Sequence, residues 1–463
     1  MAEHTVTVEN TLQTLLNEKK YTTIRDILVT MNPADIAAVF SGVETEKLPL
    51  LFRLLPKELA AESFVEMESD EQEALIRGIS DSELRQVMDE LYVDDAVDIV
   101  VEMPANVVQR ILAQSNPEMR KEINEILQYP ENSAGSVMTT EYVKLTPKMT
   151  VGDAILRIRR TGVDKETIYT CYVLENRLLV GTVSVKSLLL AQNDLQAVET
   201  VMDTNLITVT THTDQEEVAR TMSKYNLLAI PVVDGDNRMV GIVTFDDAMD
   251  VIEEETTEDM EIMAGMTPSD KTYLRSSPLE LFRHRIPWLS LLLISATFTG
   301  LILTNFEDKL SRMVCLTAFI PMLMDTGGNS GSQSSVTVIR ALSLGELEFS
   351  DLGRVIWKEV RTAILCGLAL AALCFAKIMV VDYLMLRTED VTVTVALVVS
   401  LTMAVTVLCA KIVGCTLPML AKKVGFDPAV MASPFITTIV DALSLLVYFG
   451  FATAMLEQLR TAL

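Results

Sequence analysis

An aspartate lies near the centre of the last apolar segment of this 463-residue chain. Every other residue from Phe435 to Phe451 is uncharged, and Asp441 interrupts that run. A charged acid at the centre of a membrane span costs roughly 2.5 to 3.5 kcal/mol on insertion scales, so it is retained where it faces water, a cation or a partner. Asp441 is therefore a candidate cation ligand in a pore.

The second apolar segment ends in a run of small and polar residues. Residues 325–335 read Asp-Thr-Gly-Gly-Asn-Ser-Gly-Ser-Gln-Ser-Ser. At membrane depth these residues would be costly against lipid, so they line water or pack closely against another helix. The sequence leaves both interpretations open, and both can hold together.

Acidic side chains also cluster in the first half of the chain. Asp94, Asp98 and Glu102 recur at every fourth position and would share one helical face, and Asp95 adjoins them. Like charges at this spacing repel each other unless something neutralises them. An ordinary solvated face is the simpler explanation when this group is considered alone.

A second acidic stretch, residues 246–259, has eight acidic side chains among fourteen and no basic one. As an isolated helix it would repel itself and resist packing against another acidic surface. A solvated linker helix and a cation-binding helix are equally compatible with the charge. The position favours cation binding, because the stretch joins the polar half of the chain to the apolar half.

The chain divides into a charged half suited to water and an apolar half suited to a lipid bilayer. Residues 1–270 carry 22 basic and 49 acidic side chains, whereas residues 271–463 carry 16 basic and 14 acidic ones. The second half is dominated by uncharged apolar runs about 20 residues long, enough to cross a bilayer. We predict a polytopic membrane protein, surrounded by lipid, with a large acidic extramembrane portion. The acidic excess disfavours nucleic acid as a partner and favours divalent cations.

Residues 1–130 are predicted to form an acidic, all-α N-terminal domain. Apolar residues such as Leu84, Val87, Met88 and Leu91 recur at helical spacing. Turn signals separate short helices at several prolines. The pattern predicts a stack of short helices.

The middle of the chain repeats itself. Ser136–Thr140 matches Thr200–Thr204, and Val180–Ser184 matches Val240–Thr244. A fixed period of this kind implies two copies of one fold. Each copy is predicted to run strand, helix, strand, turn, strand, helix, which is an α/β arrangement.

These motifs resemble a tandem pair of CBS domains, a cytosolic regulatory module, with copies at about 131–196 and 197–256. CBS pairs often bind adenine nucleotides through a G-x-x-[ST]-x-x-D stretch. The second copy has this stretch with Thr244 and Asp247, whereas the first has Ser187 in place of the acid. The resemblance therefore implies at most one half-site, with ATP as the candidate ligand.

An acidic connecting helix is predicted over residues 246–275, and an all-α membrane domain of five helices over residues 276–463. The five spans are expected near residues 286–306, 314–338, 362–384, 392–420 and 430–454.

The distribution of basic residues predicts the orientation of the spans. Segments assigned to the cytosol contain ten basic residues and those assigned outside contain four. The positive-inside rule then places the N-terminus in the cytosol and the C-terminus outside the cell membrane. The N-terminal residues lack the features of a signal peptide.

Three motifs in the membrane half resemble those of the MgtE family of magnesium channels. They are the P-x-x-x-x-x-G-G-N-x-G-x-Q-[ST] run from Pro321, the Asp427-Pro428 pair and the run from Pro434 to Asp441. The order of helical domain, CBS pair, acidic helix and five spans is similar too, so the resemblance covers essentially the whole chain.

The resemblance implies specific metal ligands. Asp441 would be the pore acid that binds hydrated Mg²⁺. Further pore and mouth positions would be Asn329, Thr437, Thr438 and Asp427. Regulatory Mg²⁺ would bind the N-terminal acids and the connecting helix at Asp94, Asp95, Asp98, Asp247, Asp250, Glu255, Glu258 and Asp259.

The function implied is a magnesium-selective channel or transporter that works as a homodimer. Mg²⁺ exchanges its water shell reluctantly, so paired Asp441 side chains would bind it through water. High cytosolic Mg²⁺ would bridge the acidic surfaces and favour a closed form.

The sequence also allows three alternatives to a magnesium channel. The first is a transporter of Co²⁺, Mn²⁺ or Ni²⁺, although no His, Cys or Met cluster adjoins Asp441 and a hard ion is preferred. The second is an intramembrane aspartyl enzyme that pairs Asp325 with Asp441. The third is a membrane sensor that transports nothing.

Overall fold

The computed structural model describes residues 11–269, 273, 276–388 and 391–456. The chain forms two compact units that divide between Ile252 and Glu253, called here the N-terminal unit and the membrane unit. Lys271, Arg275 and Arg460 contributed to the predicted orientation but lie outside the described residues.

The N-terminal unit begins with a stack of short helices, as predicted. Residues 11–17 are helical. The following helices are Tyr21–Leu28, Pro33–Ser41, Leu48–Phe52, Lys57–Val65, Ser69–Gly78, Asp81–Met88, Val93–Glu102, Ala105–Gln114 and Pro117–Ile126.

Polar contacts about thirty residues apart tie successive layers of this stack together. Arg53 Nε lies 2.6 Å from Glu83 Oε1, and Arg85 Nη2 donates to Gln114 Oε1 at 3.0 Å. Ser80 caps the helix Asp81–Met88 in a capping box with Glu83. The ion pair with Arg53 lowers the pKa of Glu83 to about 2, so this carboxylate is charged at neutral pH.

The two CBS copies form two three-stranded sheets. In each sheet the first strand pairs parallel with the second, and the second pairs antiparallel with the third. The strands are Tyr142–Leu145, Thr167–Glu175 and Leu178–Ser184, then Val209–Thr210, Ala229–Val233 and Met239–Thr244. The helices are Val151–Thr161, Val185–Leu189, Gln215–Tyr225 and Phe245–Met263, with 3₁₀ turns at Gly162–Asp164 and Val198–Thr200. The predicted α/β order is confirmed.

The repeated Met and Gly motifs pack against each other across the two copies. A Cβ on Gly181 would lie 2.5 Å from Met202 Sδ, and a Cβ on Gly241 would lie 2.7 Å from Met138 Sδ. Each methionine begins one copy and covers the last strand of the other, so the sequence repeat reflects reciprocal packing.

The last helix of the second copy, Phe245–Met263, is the connecting helix. It is shorter than the segment 246–275 predicted for it. The helix ends because Gly265 adopts a left-handed φ of +73°, a conformation that glycine tolerates best.

The described part of the membrane unit contains five long helices. They are Pro278–Asn305, Ile320–Ser343, Leu352–Lys377, Val393–Val424 and Ser433–Met455, called here the first to fifth membrane helices. Shorter elements between them are Glu307–Arg312, the 3₁₀ turns Val314–Phe319, Phe349–Asp351 and Pro428–Met431, and the π-helix Ile378–Met385, which extends the third membrane helix.

Four of these helical segments are long and apolar enough to cross a membrane by composition. The remaining one, the second membrane helix, is also long, but it contains the run of small and polar residues. Each segment predicted as a span therefore overlaps one long helix.

Candidate functional site

The second and fifth membrane helices cross in close contact on either side of Asp441. A Cβ on Gly328 would lie 2.8 Å from Thr437 Cγ2, and one on Gly327 would lie 2.9 Å from Ser444 Oγ. Such distances show that larger residues would force the helices apart. The glycines of the polar run thus serve close helix packing, which was one of the two interpretations of the sequence.

The face of the second membrane helix next to these glycines carries polar residues. They recur every fourth position, at Asp325, Asn329, Gln333 and Thr337, and all four are exposed in the single chain. Asn329 Nδ2 donates to Asp325 Oδ1 at 3.1 Å. A polar row on a helix between apolar helices needs water or a partner beside it. We call this row the polar stripe.

Asp441 lies half-buried on the fifth membrane helix at the level of the glycine crossing. Its carboxylate is near enough to that of Asp325 for the two to repel each other. The structure therefore places Asp441 beside the polar stripe and adds Asp325, which sequence reasoning had considered only for an enzyme. Its position, four residues before Asn329, was the available signal.

The predicted hydroxyl ligands are engaged within their own helix. Thr437 Oγ1 and Thr438 Oγ1 donate to the Pro434 carbonyl at 2.9 and 3.1 Å. Their oxygens keep lone pairs, so they can still accept protons from the water shell of an ion.

Asp427 lies in the segment before the fifth membrane helix. It is exposed, and its Oδ1 accepts a hydrogen bond from the Ala429 backbone N–H at 2.8 Å. The carboxylate caps the turn Pro428–Met431 and retains its second oxygen for other partners.

The end of the connecting helix packs near this segment within the membrane unit. Ile262 and Met263 contact an apolar cluster of Ile339, Ala429 and Ala432. Ser343 Oγ donates to Asp259 Oδ2 at 3.2 Å. The acidic helix therefore ends against the second membrane helix and the turn that Asp427 begins.

In the N-terminal unit, three of the predicted acids lie close together. Asp94 is 6 % exposed, and its Oδ1 has no hydrogen-bond partner among the described residues. Burial and repulsion from Asp247 raise the pKa of Asp94 well above its usual value, and the same two causes raise the pKa of Asp95 to about 7. Burial raises the pKa of Asp247 to about 6.

Two glutamates that the sequence did not single out complete this group. Burial raises the pKa of Glu141 to about 7, and burial with repulsion from Asp95 and Asp247 raises that of Glu166 to about 8. Each has an Oε2 with no partner among the described residues. We call these five residues, Asp94, Asp95, Glu141, Glu166 and Asp247, the acidic cluster.

The sequence contains a signal for the two glutamates in their positions before the strands. Glu141 and Glu166 each directly precede one of two parallel strands, and Tyr142 pairs with Thr167 in the sheet. The starts of adjacent parallel strands lie side by side, so acids at those positions meet.

Three of the other predicted acids, Asp98, Asp250 and Glu258, are exposed. Asp250 nevertheless repels Asp247 of the acidic cluster. Glu255 and Asp259 lie further along the connecting helix, in the membrane unit.

The donor set suits a hydrated hard cation. Within the described ranges, no three His, Cys, Asp or Glu side chains converge as a ready-made metal site. Mg²⁺ usually keeps several waters and binds through one or two carboxylates, so it does not need such convergence. Oxygen ligands alone also suit Mg²⁺ better than a soft metal.

The predicted nucleotide residues contact each other. Thr244 is buried, and its hydroxyl and backbone N–H both donate to Asp247 Oδ2. Asp247 therefore belongs to both the predicted nucleotide stretch and the acidic cluster.

Family comparisons match most of the chain. Residues 31–132 match the MgtE intracellular N domain, and residues 134–194 and 198–254 match CBS domains. Residues 320–451 match the MgtE domain described as a divalent cation transporter.

Relatives match over nearly the full length. The magnesium transporter MgtE of Thermus thermophilus is 34% identical over 451 residues, which cover 96% of this chain and 98% of the relative. The magnesium transporter MgtE of Bacillus subtilis is 32% identical, with 96% of each chain covered. These relatives are named as transporters, which does not support the enzyme hypothesis.

A solved structure resembles the N-terminal part of the fold. The cytosolic domain of the Mg²⁺ channel MgtE in complex with ATP is 35% identical, with a TM-score of 0.50. The match covers 52% of this chain and 99% of that domain.

Proposed function

This chain belongs to the MgtE family of divalent cation transporters, and from that premise we propose that it conducts Mg²⁺ across the cell membrane. The ion would pass beside Asp441 and the polar stripe. The N-terminus would face the cytosol and the C-terminus the outside, as the basic residues indicate.

The observation that carries this proposal is that two acids and an amide lie at the same depth along the second and fifth membrane helices. Asp441 and Asp325 repel each other, and Asn329 hydrogen-bonds to Asp325 on the exposed side of its helix. A cation between these groups would relieve the repulsion. A hydrated Mg²⁺ would also donate water protons to the carboxylates and to the Asn329 side-chain oxygen.

A homodimer would complete the pathway. The polar stripe is exposed in a single chain, although its helix lies among apolar ones. Pairing two stripes across an axis would remove them from lipid and place two Asp441 carboxylates around one ion. Closed twofold dimers are the commonest soluble homo-oligomers, and the same symmetry would serve here.

Cytosolic Mg²⁺ would close the pathway by binding the acidic cluster and the connecting helix. The cluster holds five carboxylates whose raised pKa values record mutual repulsion and burial. Ions that neutralise them favour close packing of the surfaces that carry them. A near-complete switch needs about 5.5 kcal/mol of differential binding, which several weak sites can supply together.

Nucleotide binding is proposed more narrowly, as one half-site for ATP at Thr244 and Asp247. The similar cytosolic domain was solved with ATP. Ser187 replaces the acid in the first copy, so the second copy alone offers the full stretch.

Magnesium uptake by Asp441→Asn tests the proposal. The substitution keeps the side-chain volume but removes the charge that attracts the ion, so we expect uptake to fall by about tenfold or more. Uptake is measured in a magnesium-starved strain that produces equal amounts of each variant. Asp308→Asn is the control, because Asp308 is an exposed acid in the short helix Glu307–Arg312 and is not part of the stripe, and its uptake should stay near wild type.

Two results would contradict the proposal. Equal Mg²⁺ uptake by wild type and Asp441→Asn would remove Asp441 from the pathway. Uptake of Co²⁺, Mn²⁺ or Ni²⁺ without Mg²⁺ would instead favour a transporter for another divalent ion.

A further inference from the structure

A charged group lies buried between three membrane helices. Lys411 on the fourth membrane helix is 5 % exposed, and Ser334 on the second is 2 % exposed. Glu359 on the third membrane helix is largely buried too. A lysine in such surroundings is costly unless it is paired and hydrogen-bonded, so the arrangement of these three residues needs a reason.

One hydroxyl links the two charges. Ser334 Oγ donates to Glu359 Oε2 at 2.6 Å and accepts from Lys411 Nζ at 3.2 Å, while Lys411 Nζ lies 3.8 Å from Glu359 Oε2. Each residue comes from a different helix. The group therefore joins the second, third and fourth membrane helices at one point.

The same face of the second membrane helix is in backbone contact with the fourth. A Cβ on Gly414 would overlap the Gly331 carbonyl oxygen, so neither helix has room for a side chain there. Gly331 and Ser334 are three residues apart, as are Lys411 and Gly414, so each pair lies on one helical face. The glycine contact sets the distance between the helices, and the charged group opposes their rotation.

Asp325 and Asn329, the first two residues of the polar stripe, lie on the other side of this helix. At about 100° per residue, Ser334 is roughly 140° around the helix from Asn329. A rotation that breaks the Ser334 contacts would therefore turn Asp325 and Asn329 away from Asp441.

We propose that Lys411, Ser334 and Glu359 form a charge lock that fixes the rotation of the second membrane helix and so aims the polar stripe at the ion pathway. Lys411 and Glu359 act as positioning residues, since they act through Asp325 and Asn329. The inference rests on the proposed function, because it assigns these residues a part in selecting the transported ion.

Two variants that spare the stripe test this role. Lys411→Met with Glu359→Gln removes both charges at similar volume, so no unpaired charge stays buried. Ser334→Ala removes the bridging hydroxyl alone. Each is purified, reconstituted in liposomes and assayed for Mg²⁺ uptake and for the ratio of Mg²⁺ to Co²⁺ uptake.

We expect both variants to raise the KM for Mg²⁺ and to lower the Mg²⁺ to Co²⁺ ratio by roughly fivefold, as for the loss of one typical hydrogen bond. The single change Lys411→Arg should keep the wild-type ratio. Thr402→Val is the matched control, because Thr402 is a buried hydroxyl of the fourth helix that donates to Val398 in its own helix. Its ratio should be that of wild type.

The results distinguish the charge lock from a packing role of the same residues. An unchanged KM and ratio in Ser334→Ala and in the double variant would overturn the charge lock and leave a packing role. If the double variant does not fold, Ser334→Ala alone gives the answer. Wild-type protein that takes up no Mg²⁺ would instead refute the proposed function.

Discussion

At the scale of single residues, the acidic cluster is a group of carboxyl groups whose pKa values are raised by burial and mutual repulsion. Asp94 and Glu166 each have a buried oxygen without a hydrogen-bond partner among the described residues. Native structures rarely leave such atoms unsatisfied, so a cation or its water shell is the natural partner. The cluster should therefore exchange protons for Mg²⁺.

The cluster predicts that the N-terminal unit weakens as pH rises in the absence of divalent ions. The folded pKa values are about 6 for Asp247, about 7 for Asp95 and Glu141, and about 8 for Glu166, all above their ordinary values. The folded state then binds more protons than the unfolded state, so stability present at low pH is lost as pH rises toward about 8.

Hydrogen exchange checks this expectation. The readout is the protection of amides in Val93–Glu102 in the full-length protein, corrected for intrinsic exchange. In EDTA, protection should fall by about tenfold or more between pH 5 and pH 8, whereas Mg²⁺ should abolish the fall. Glu166→Gln should reduce the fall, and Asp26→Asn, an exposed acid, should not. A pH-independent protection in EDTA would contradict the prediction.

Sequence spacing identified some of these residues and missed others for a physical reason. Helical periodicity drew attention to Asp94 and Asp98, but only Asp94 is buried, because the stack of helices covers one side of Val93–Glu102. Glu141 and Glu166 are 25 positions apart in the sequence and meet only through strand pairing. Contacts of that kind depend on tertiary structure.

At the scale of elements, glycine positions fix how the membrane helices meet. Gly327, Gly328 and Gly331 pack against the fifth helix, and Gly331 also contacts Gly414 of the fourth. Small residues allow this approach in lipid, where apolar surfaces give little drive to associate. The sequence predicted both the long helices and the need for small residues. It could not tell which face packs and which stays exposed, because the run is polar and small on both.

Gly414→Ala should separate the second and fourth helices. The new Cβ would overlap the Gly331 carbonyl oxygen, so the backbone of one helix would have to move. We expect a loss of folded protein in detergent, with a lower melting temperature by several degrees, as for a cost of about 1–3 kcal/mol.

Gly450→Ala is the matched control for that change. A Cβ on Gly450, in the fifth helix, would have nothing within 4 Å. Alanine is a better helix former, so the melting temperature should stay the same or rise slightly. Equal effects of the two substitutions would show that the glycine contact is unimportant.

At the scale of the whole molecule, the negative charge is concentrated in the first half of the chain. Residues 1–270 hold 49 of the 63 acidic side chains, whereas the remainder is nearly balanced. A field of this size concentrates cations near the N-terminal unit, and dissolved salt weakens it. The control by Mg²⁺ that we propose should therefore depend on ionic strength.

Raising NaCl from about 0.05 to 0.5 M should raise the internal Mg²⁺ concentration that half-inhibits uptake. The Debye length shortens from more than 10 Å to less than 5 Å over this range, so the carboxylates attract Mg²⁺ less. The measurement uses proteoliposomes of uniform orientation loaded with graded Mg²⁺, with uptake at zero internal Mg²⁺ as the reference. A threshold that salt leaves unchanged would argue against control by the acidic surfaces.

The two CBS copies end in helices of unequal length, Val185–Leu189 and Phe245–Met263. Both helices begin directly after the last strand of their copy, which ends at Ser184 or Thr244. The two copies therefore share the position where the helix begins and differ in where it ends. The fourteen extra residues add roughly 20 Å of rigid rod to one copy. The two copies are otherwise similar, so this difference makes the CBS pair asymmetric. A movement within the pair can be transmitted through the long helix of the second copy.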